Sequence, residues 1–260
     1  MRPGRNSNTG DSMATTVGGA APEQRTPGRG FMADQGFFVR YAIATAAFII
    51  FGFVQFALRG FSDFPNAPRI VHIHGVLMVS WLAIFVTQNV LIHRGQLGFH
   101  RKVGWVSAGL VVVIAITGLL VGHDAVATHR LPPFFTNPYF LALTGVGSLL
   151  FAGMVGWAIT LRRQTQWHRR IMLGAMFILL EPALGRLLPM PLMGMWGEWT
   201  ILVIQLLCVG ILARHDRKVL GSVHEATKAI AAILIAEHIL IETLAVVPPF
   251  VAYAQAVAGG

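Results

Sequence analysis

Charge is scarce in this chain of 260 residues, acid is scarcer still, and cysteine is nearly absent. Only 12% of the residues are charged against 55% hydrophobic, and the mean hydropathy is +0.63. A soluble domain carries roughly twice that share of charge, so this balance excludes one. The single cysteine, Cys208, excludes an intramolecular disulfide, and its place inside an apolar run argues against a reactive thiolate. Also missing are a phosphate-binding glycine loop, a Cys-x-x-Cys pair and a serine framed as a nucleophile. No soluble catalytic constellation is available.

What the chain has instead is apolar length. A helix needs roughly 20 apolar residues to cross about 30 Å of hydrocarbon. Seven such stretches are expected: Phe38 to Leu58, Ile70 to Ile92, Val103 to Gly122, Tyr139 to Leu161, Ile171 to Leu188, Trp196 to Ala213 and Thr227 to Val247. Trp105, Tyr139, Trp167, Trp196 and Trp199 fall near their ends, where amphipathic rings favour the interface. The expected fold is an all-α membrane protein of seven transmembrane helices over residues 37–260. A disordered, Gly-, Pro-, Ser- and Arg-rich tail, residues 1–36, precedes it.

Orientation follows from the basic residues. Of 20 Lys and Arg, all but Arg59, Arg69, Arg130 and Arg186 fall in the tail or in the loops after the second, fourth and sixth spans. Cytoplasmic segments retain such residues, so the amino terminus is expected inside and the carboxyl terminus outside, as in a bacterial inner membrane. The net charge of +9 is thereby a topology signal, with anionic lipid as the partner and no need of nucleic acid.

One charged phrase occurs twice. Arg94-Gly-Gln-Leu-Gly-Phe-His100-Arg101-Lys102-Val103 recurs as Arg162-Arg-Gln-Thr-Gln-Trp-His168-Arg169-Arg170-Ile171. The spacing holds one helical hairpin, which predicts a parallel internal repeat of spans two and three (about 70–122) and four and five (about 139–188). His100 and His168 would then lie at matching heights and face each other, a bis-imidazole arrangement that suits a haem iron. Arg101, Lys102, Arg169 and Arg170 would pair with its propionates. Equally open is that both phrases are positive-inside anchors whose histidines sit among headgroups.

The outer side holds His72, His74 and His123, with Met190, Met193 and Met195 leading to Glu198. Imidazole with soft sulfur is a ligand set for copper or another metal, and methionine is also ordinary apolar packing. His72 and His74 lie about 200° apart on a helix and cannot serve one site unless the helix starts between them. Inside the spans sit Glu181, followed by Pro182 and Arg186, and then Glu237, His238 and Glu242. Ionisable groups in hydrocarbon are tolerated when paired, protonated or facing water. Arg186 lies about 140° round the helix from Glu181 and would reach it only with the bend at Pro182. Gln55, Gln88 and Gln205 would extend a polar thread. A buried network that merely fixes packing is the structural alternative.

The run His74-Gly75-Val76-Leu77-Met78, then Trp81, Arg94, His100-Arg101 and Gly104, resembles b-type membrane cytochromes of the ascorbate-dependent ferric reductase kind. It is also similar to bacterial multi-pass proteins whose hairpins carry a His-Arg and glycine phrase. The resemblance covers spans two to five. It implies that His74, His100 and His168 match three of four haem-ligand positions. Span four supplies no histidine for the remaining one, so it implies one haem b at most, on His100 and His168. Three functions are thus expected as alternatives. They are electron transfer through haem, to a redox partner or an outer metal; proton-coupled transport or a channel using the intramembrane Glu and His; and an accessory role in a larger membrane complex. For the last, Gly145, Gly147, Gly153 and Gly156 would supply close helix contacts.

Overall fold

The computed structural model describes residues 33–63, 65–194 and 196–259, so most of the expected tail and Met195 lie outside the described residues. The last four positions of that tail are ordered: Ala33 and Asp34 form a turn and Gln35 opens the first helix. Among the described residues there are ten helices and no strand: α1 (Gln35–Leu58), α2 (Arg69–His93), α3 (Leu97–Ala127), α4 (Asn137–Thr160), α5 (Thr165–Ile178), α6 (Leu180–Leu187), α7 (Met190–Met193), α8 (Trp196–Leu220), α9 (Glu225–Val246) and α10 (Pro248–Gly259). Six of them, α1, α2, α3, α4, α8 and α9, are long and apolar enough to cross a membrane. Their outward faces present Phe51, Val54, Val76, Val112, Leu207 and Ile239, as contact with lipid requires.

The fifth expected span, Ile171 to Leu188, is two pieces rather than one helix. Proline lacks an N–H and its ring collides with the carbonyl four residues back. Counted from Pro182, that residue is Ile178, where α5 ends before α6 resumes at Leu180. The Phe177 carbonyl at this break accepts a hydrogen bond from Gln205 Nε2 of α8 at 3.0 Å. Gln55 Nε2 of α1 donates at 2.9 Å to the Arg186 carbonyl at the far end of α6. These glutamines serve the broken backbone and do not form the expected polar thread.

α5 is the post around which the others stand. It packs on α1, α4, α8 and α9, and Ile171, Ala175, Met176 and Phe177 are all wholly buried. A helix apolar on every side is stable only when enclosed. Along the α3–α4 contact, Gly118 and Gly122 meet Ser148 and Thr144 so closely that a Cβ at either glycine would collide. Gly52 of α1 lies similarly against Ala183 of α6, with 2.9 Å from the added Cβ to the Ala183 oxygen. Of the four α4 glycines, an added Cβ would lie 4.0 Å from Leu119 at Gly145 and 3.9 Å from Glu237 at Gly147, while at Gly153 and Gly156 it would meet none of the described residues within 4 Å. α10 is an unexpected addition, starting at Pro248-Pro249 and lying on α3, α4 and α9.

Two consecutive arginines fasten the start of α5. Arg169 makes a double hydrogen bond to Asp34, Nη1 to Oδ1 at 2.7 Å and Nη2 to Oδ2 at 2.8 Å, and lies 4.2 Å over the Phe38 ring. His215 Nε2 donates to the same carboxylate at 3.1 Å while its ring stacks on Phe37. Arg170 donates from Nε and Nη2 to Asp216 Oδ1 at 3.0 and 2.5 Å, with both side chains fully enclosed. Its Nη1 binds the Gln166 carbonyl and side chain. The second Asp216 oxygen accepts from Thr227 Oγ1 and the His224 backbone N–H. His224 in turn caps α9 by accepting from Ala226 N–H on Nδ1 at 3.1 Å. Burial, with Arg170 nearby, lowers its pKa and keeps the imidazole in the neutral form that this cap requires.

The expectation that Arg169 and Arg170 anchor to lipid or to haem propionates is therefore corrected: their donors are committed to carboxylates. Removing one partner of a buried pair leaves a bare charge, so Asp216→Ala should destabilise by about 3–5 kcal/mol, while Arg170→Met with Asp216→Leu should lose far less. Thermal unfolding in detergent measures both. Burial tends to raise the Asp34 pKa, but Arg169 and His215 outweigh it and hold the carboxyl below its ordinary 3.8. Stability from this pair is then complete above pH 3.8 and lost as pH falls through the folded-state value. The acid-side fall in melting temperature should be shallower in Asp34→Asn.

Candidate functional site

Two constellations lie at opposite ends of the helices. The first is the histidine pair. His100 opens the first turns of α3 and His168 those of α5, and the fold brings their rings to 6.4 Å between centroids at an interplanar angle of 81°. His168 Nδ1 donates to the Ala158 carbonyl at 2.8 Å, which leaves Nε2 with the lone pair in the neutral ring. Such a bond is the usual second contact of a metal-bound imidazole. Two imidazoles on opposite sides of one ion, at about 2.0–2.1 Å per bond, would have centroids about 6 Å apart.

The space beside them is narrow. Phe38, Phe85, Gln88, Ile92, Met172 and Leu173 surround a cavity of about 40 Å³. A water needs roughly 10–15 Å³ on this measure, so the cavity takes a few waters and does not take a porphyrin. The macrocycle would fit only if α3 and α5 parted at this end. Arg101 is exposed, and Arg169 is held by Asp34.

The expected outer metal group does not assemble. Both His72 and His74 lie within α2, which starts at Arg69, so they diverge. His74 Nδ1 meets Thr117 Oγ1 of α3 at 2.9 Å, and His123 is exposed. Among the described residues no three His, Cys, Asp or Glu side chains come close enough to hold a metal ion. Trp81 of the resemblance motif is core packing, edge-on to Phe151 at 5.2 Å.

The second constellation is a group of carboxyls from three helices. Glu181 sits at the start of α6, Glu198 in the first turn of α8, and Glu237 and Glu242 on α9. Glu181 is within electrostatic reach of Glu237 and Glu198, and Glu198 of Glu242. Tyr139 of α4 joins them, its hydroxyl directed at Glu242. Glu237 is 1% exposed, nine residues or about 14 Å from the end of α9. It points towards Gly147, where the missing side chain leaves room for it. Among the described residues neither oxygen of Glu237 finds a hydrogen-bond partner, nor does Glu198 Oε2 or the neighbouring His238 Nε2. His238 Nδ1 donates to the Leu234 carbonyl of its own helix.

Arg186 does not neutralise the group. Its Nη1 donates to the Pro182 carbonyl at 2.7 Å, and its guanidinium lies over Phe53 and Phe56 of α1 at 4.1 and 5.7 Å. A cavity of about 250 Å³ opens onto the group, lined by Phe134, Phe135, Tyr139, Met190, Glu198 and Glu242 among others. Glu198 and Tyr139 went unassigned as site residues in the sequence, where each stands at a helix end like an ordinary interfacial residue. Asp34 and Asp216 were missed as well, although each is an isolated acid in a chain with only 11. No protein-family model, curated protein or solved structure matches the chain.

Proposed function

We propose that this is a proton-coupled multi-pass membrane protein, in which Glu181 and Glu237 take up and release protons through the cavity at Glu198 and Glu242. The observation that carries the reading is Glu237, a carboxyl enclosed near mid-helix with two bare oxygens. As an anion it would lack every form of compensation that hydrocarbon demands, so it persists by carrying a proton. Glu181, Glu198 and Glu242 form a relay between it and the open end, and Tyr139 can hand protons to Glu242. In this reading α5 and α6 together cross the bilayer as the fifth of seven spans. The basic loops lie in the cytoplasm of a bacterial cell and the acidic cavity faces outwards.

A pH-jump infrared difference spectrum of the protein in lipid tests this. A buried carboxyl C=O band should appear and lose amplitude in Glu237→Gln, with a smaller loss in Glu181→Gln. A spectrum unchanged by Glu237→Gln would refute the relay.

A second reading is a b-type haem held by His100 and His168, for which the Ala158 hydrogen bond and the closeness of the rings speak and which requires α3 and α5 to part at this end. Bound haem would supply one-electron chemistry, and His100 and His168 are the residues that would hold it. Protein purified from haem-replete cells should then show a Soret band lost in both His100→Ala and His168→Ala. A colourless preparation refutes it and leaves the carboxyl group untouched.

A further inference from the structure

The cavity at the mouth of the carboxyl group has a chemistry of its own. Its aromatic wall is built by Phe134, Phe135 and Tyr139, with the Phe135 and Tyr139 rings stacked at 5.7 Å and 7°. Met190 and Pro191 close another side, and Glu198 and Glu242 supply the charge. Among the described residues no Lys or Arg lines it. Glu198 is 7% exposed, and its Oε2 has no hydrogen-bond partner although the side chain borders the cavity. A carboxylate oxygen so placed faces the cavity without a hydrogen bond from the described residues.

Three occupants are chemically distinct. A metal ion needs three or more hard ligands around one point, and the described residues offer no such group. An anion would meet two carboxylates without a compensating cation. An organic cation meets what is present: aromatic faces that attract positive charge, a soft thioether and two acids. Size agrees, since a cavity of about 150 Å³ accommodates benzene, and this one has about 250 Å³.

We infer that the cavity binds an organic ammonium ion carrying an aromatic or alkyl group, its nitrogen between Glu198 and Glu242 and its apolar part against Phe134, Phe135 and Tyr139. The inference rests on the proton-coupled reading, because the cation and the protons share one set of acids. Before the cation enters, the coupled acids Glu181, Glu198, Glu237 and Glu242 retain a proton; its entry ionises that carboxyl and releases the proton, and reprotonation expels the cation. The titratable groups lining the site are Tyr139 from α4, Glu198 from α8 and Glu242 from α9, and behind them Glu181 from α6 is within electrostatic reach of Glu198 and of Glu237 on α9. The positive groups nearby in sequence, Arg186 and Arg130, are engaged with Pro182 and α1 and with Asp124 and Thr128 respectively. Net exchange is therefore cation for proton.

Isothermal titration of the full protein in detergent with benzyltrimethylammonium tests the inference, using two buffers of different ionisation enthalpy to count released protons. Binding should release about one proton and weaken up to tenfold per pH unit towards acid, the limit for a single exchanged proton. Glu198→Gln and Glu242→Gln should each weaken it at least tenfold, and Phe135→Leu should weaken it without changing the proton count. Melting curves identify any variant that fails to fold, and Tyr139→Phe then serves in its place. Binding that is insensitive to all of these substitutions overturns the inference, as does equal binding of benzoate. If no cation binds while the Glu237-dependent carboxyl band persists, the ligand class is wrong and the proton reading stands. If both are absent, both fall.

Discussion

Everything in this fold leans on the two guanidinium groups at the start of α5. Consecutive residues on a helix project about 100° apart, so Arg169 and Arg170 reach different neighbours. Arg169 takes Asp34 before α1 and Arg170 takes Asp216 near the end of α8, with Thr227 of α9 sharing the carboxylate. A buried guanidinium is tolerable only when its charge is paired, and here Asp34 and Asp216 pair with the two guanidiniums, Gln166 accepts from both, and His215 donates to Asp34. That requirement decides which helices surround α5 and at what height.

Height has consequences at the other end. With the start of α5 pinned, the break imposed by Pro182 falls level with Gln205, whose amide satisfies the Phe177 carbonyl. α6 then sets off beside α8, and Glu181 arrives among Glu198 and Glu237. The two ends differ in kind. At the arginine end each buried charge is paired with an opposite one, the condition of a structural network. At the carboxyl end the oxygens of Glu237 and Glu198 are bare and a cavity leads to them, the condition of a group that exchanges protons or receives a ligand.

The histidine pair stands between these extremes. Its rings meet as the repeated phrase suggested, and His168 is oriented by a backbone carbonyl, yet the space beside the rings is sized for water. The arginines that the same phrase supplies turn inward to acids in the second copy, while Arg101 and Lys102 of the first copy remain exposed. One repeated motif thus has two physical fates, because only the second copy begins a helix that is enclosed on all sides.

Apolar length by itself determined that the chain is a helical membrane protein, and it located six of the long helices closely, since both depend on local composition and a fixed rise per residue. The expected meeting of His100 with His168 was likewise legible, through repetition. Tertiary structure decided the rest. It alone showed that Arg169 and Arg170 are buried, that Arg186 turns to α1 instead of Glu181, that Gly118 and Gly122 are the close-contact glycines, and that Tyr139 and Glu198 belong with Glu242. Partners of that kind are separated by tens to more than a hundred residues. Which of them meet depends on how helices rotate and stack, and no local pattern in the sequence encodes that.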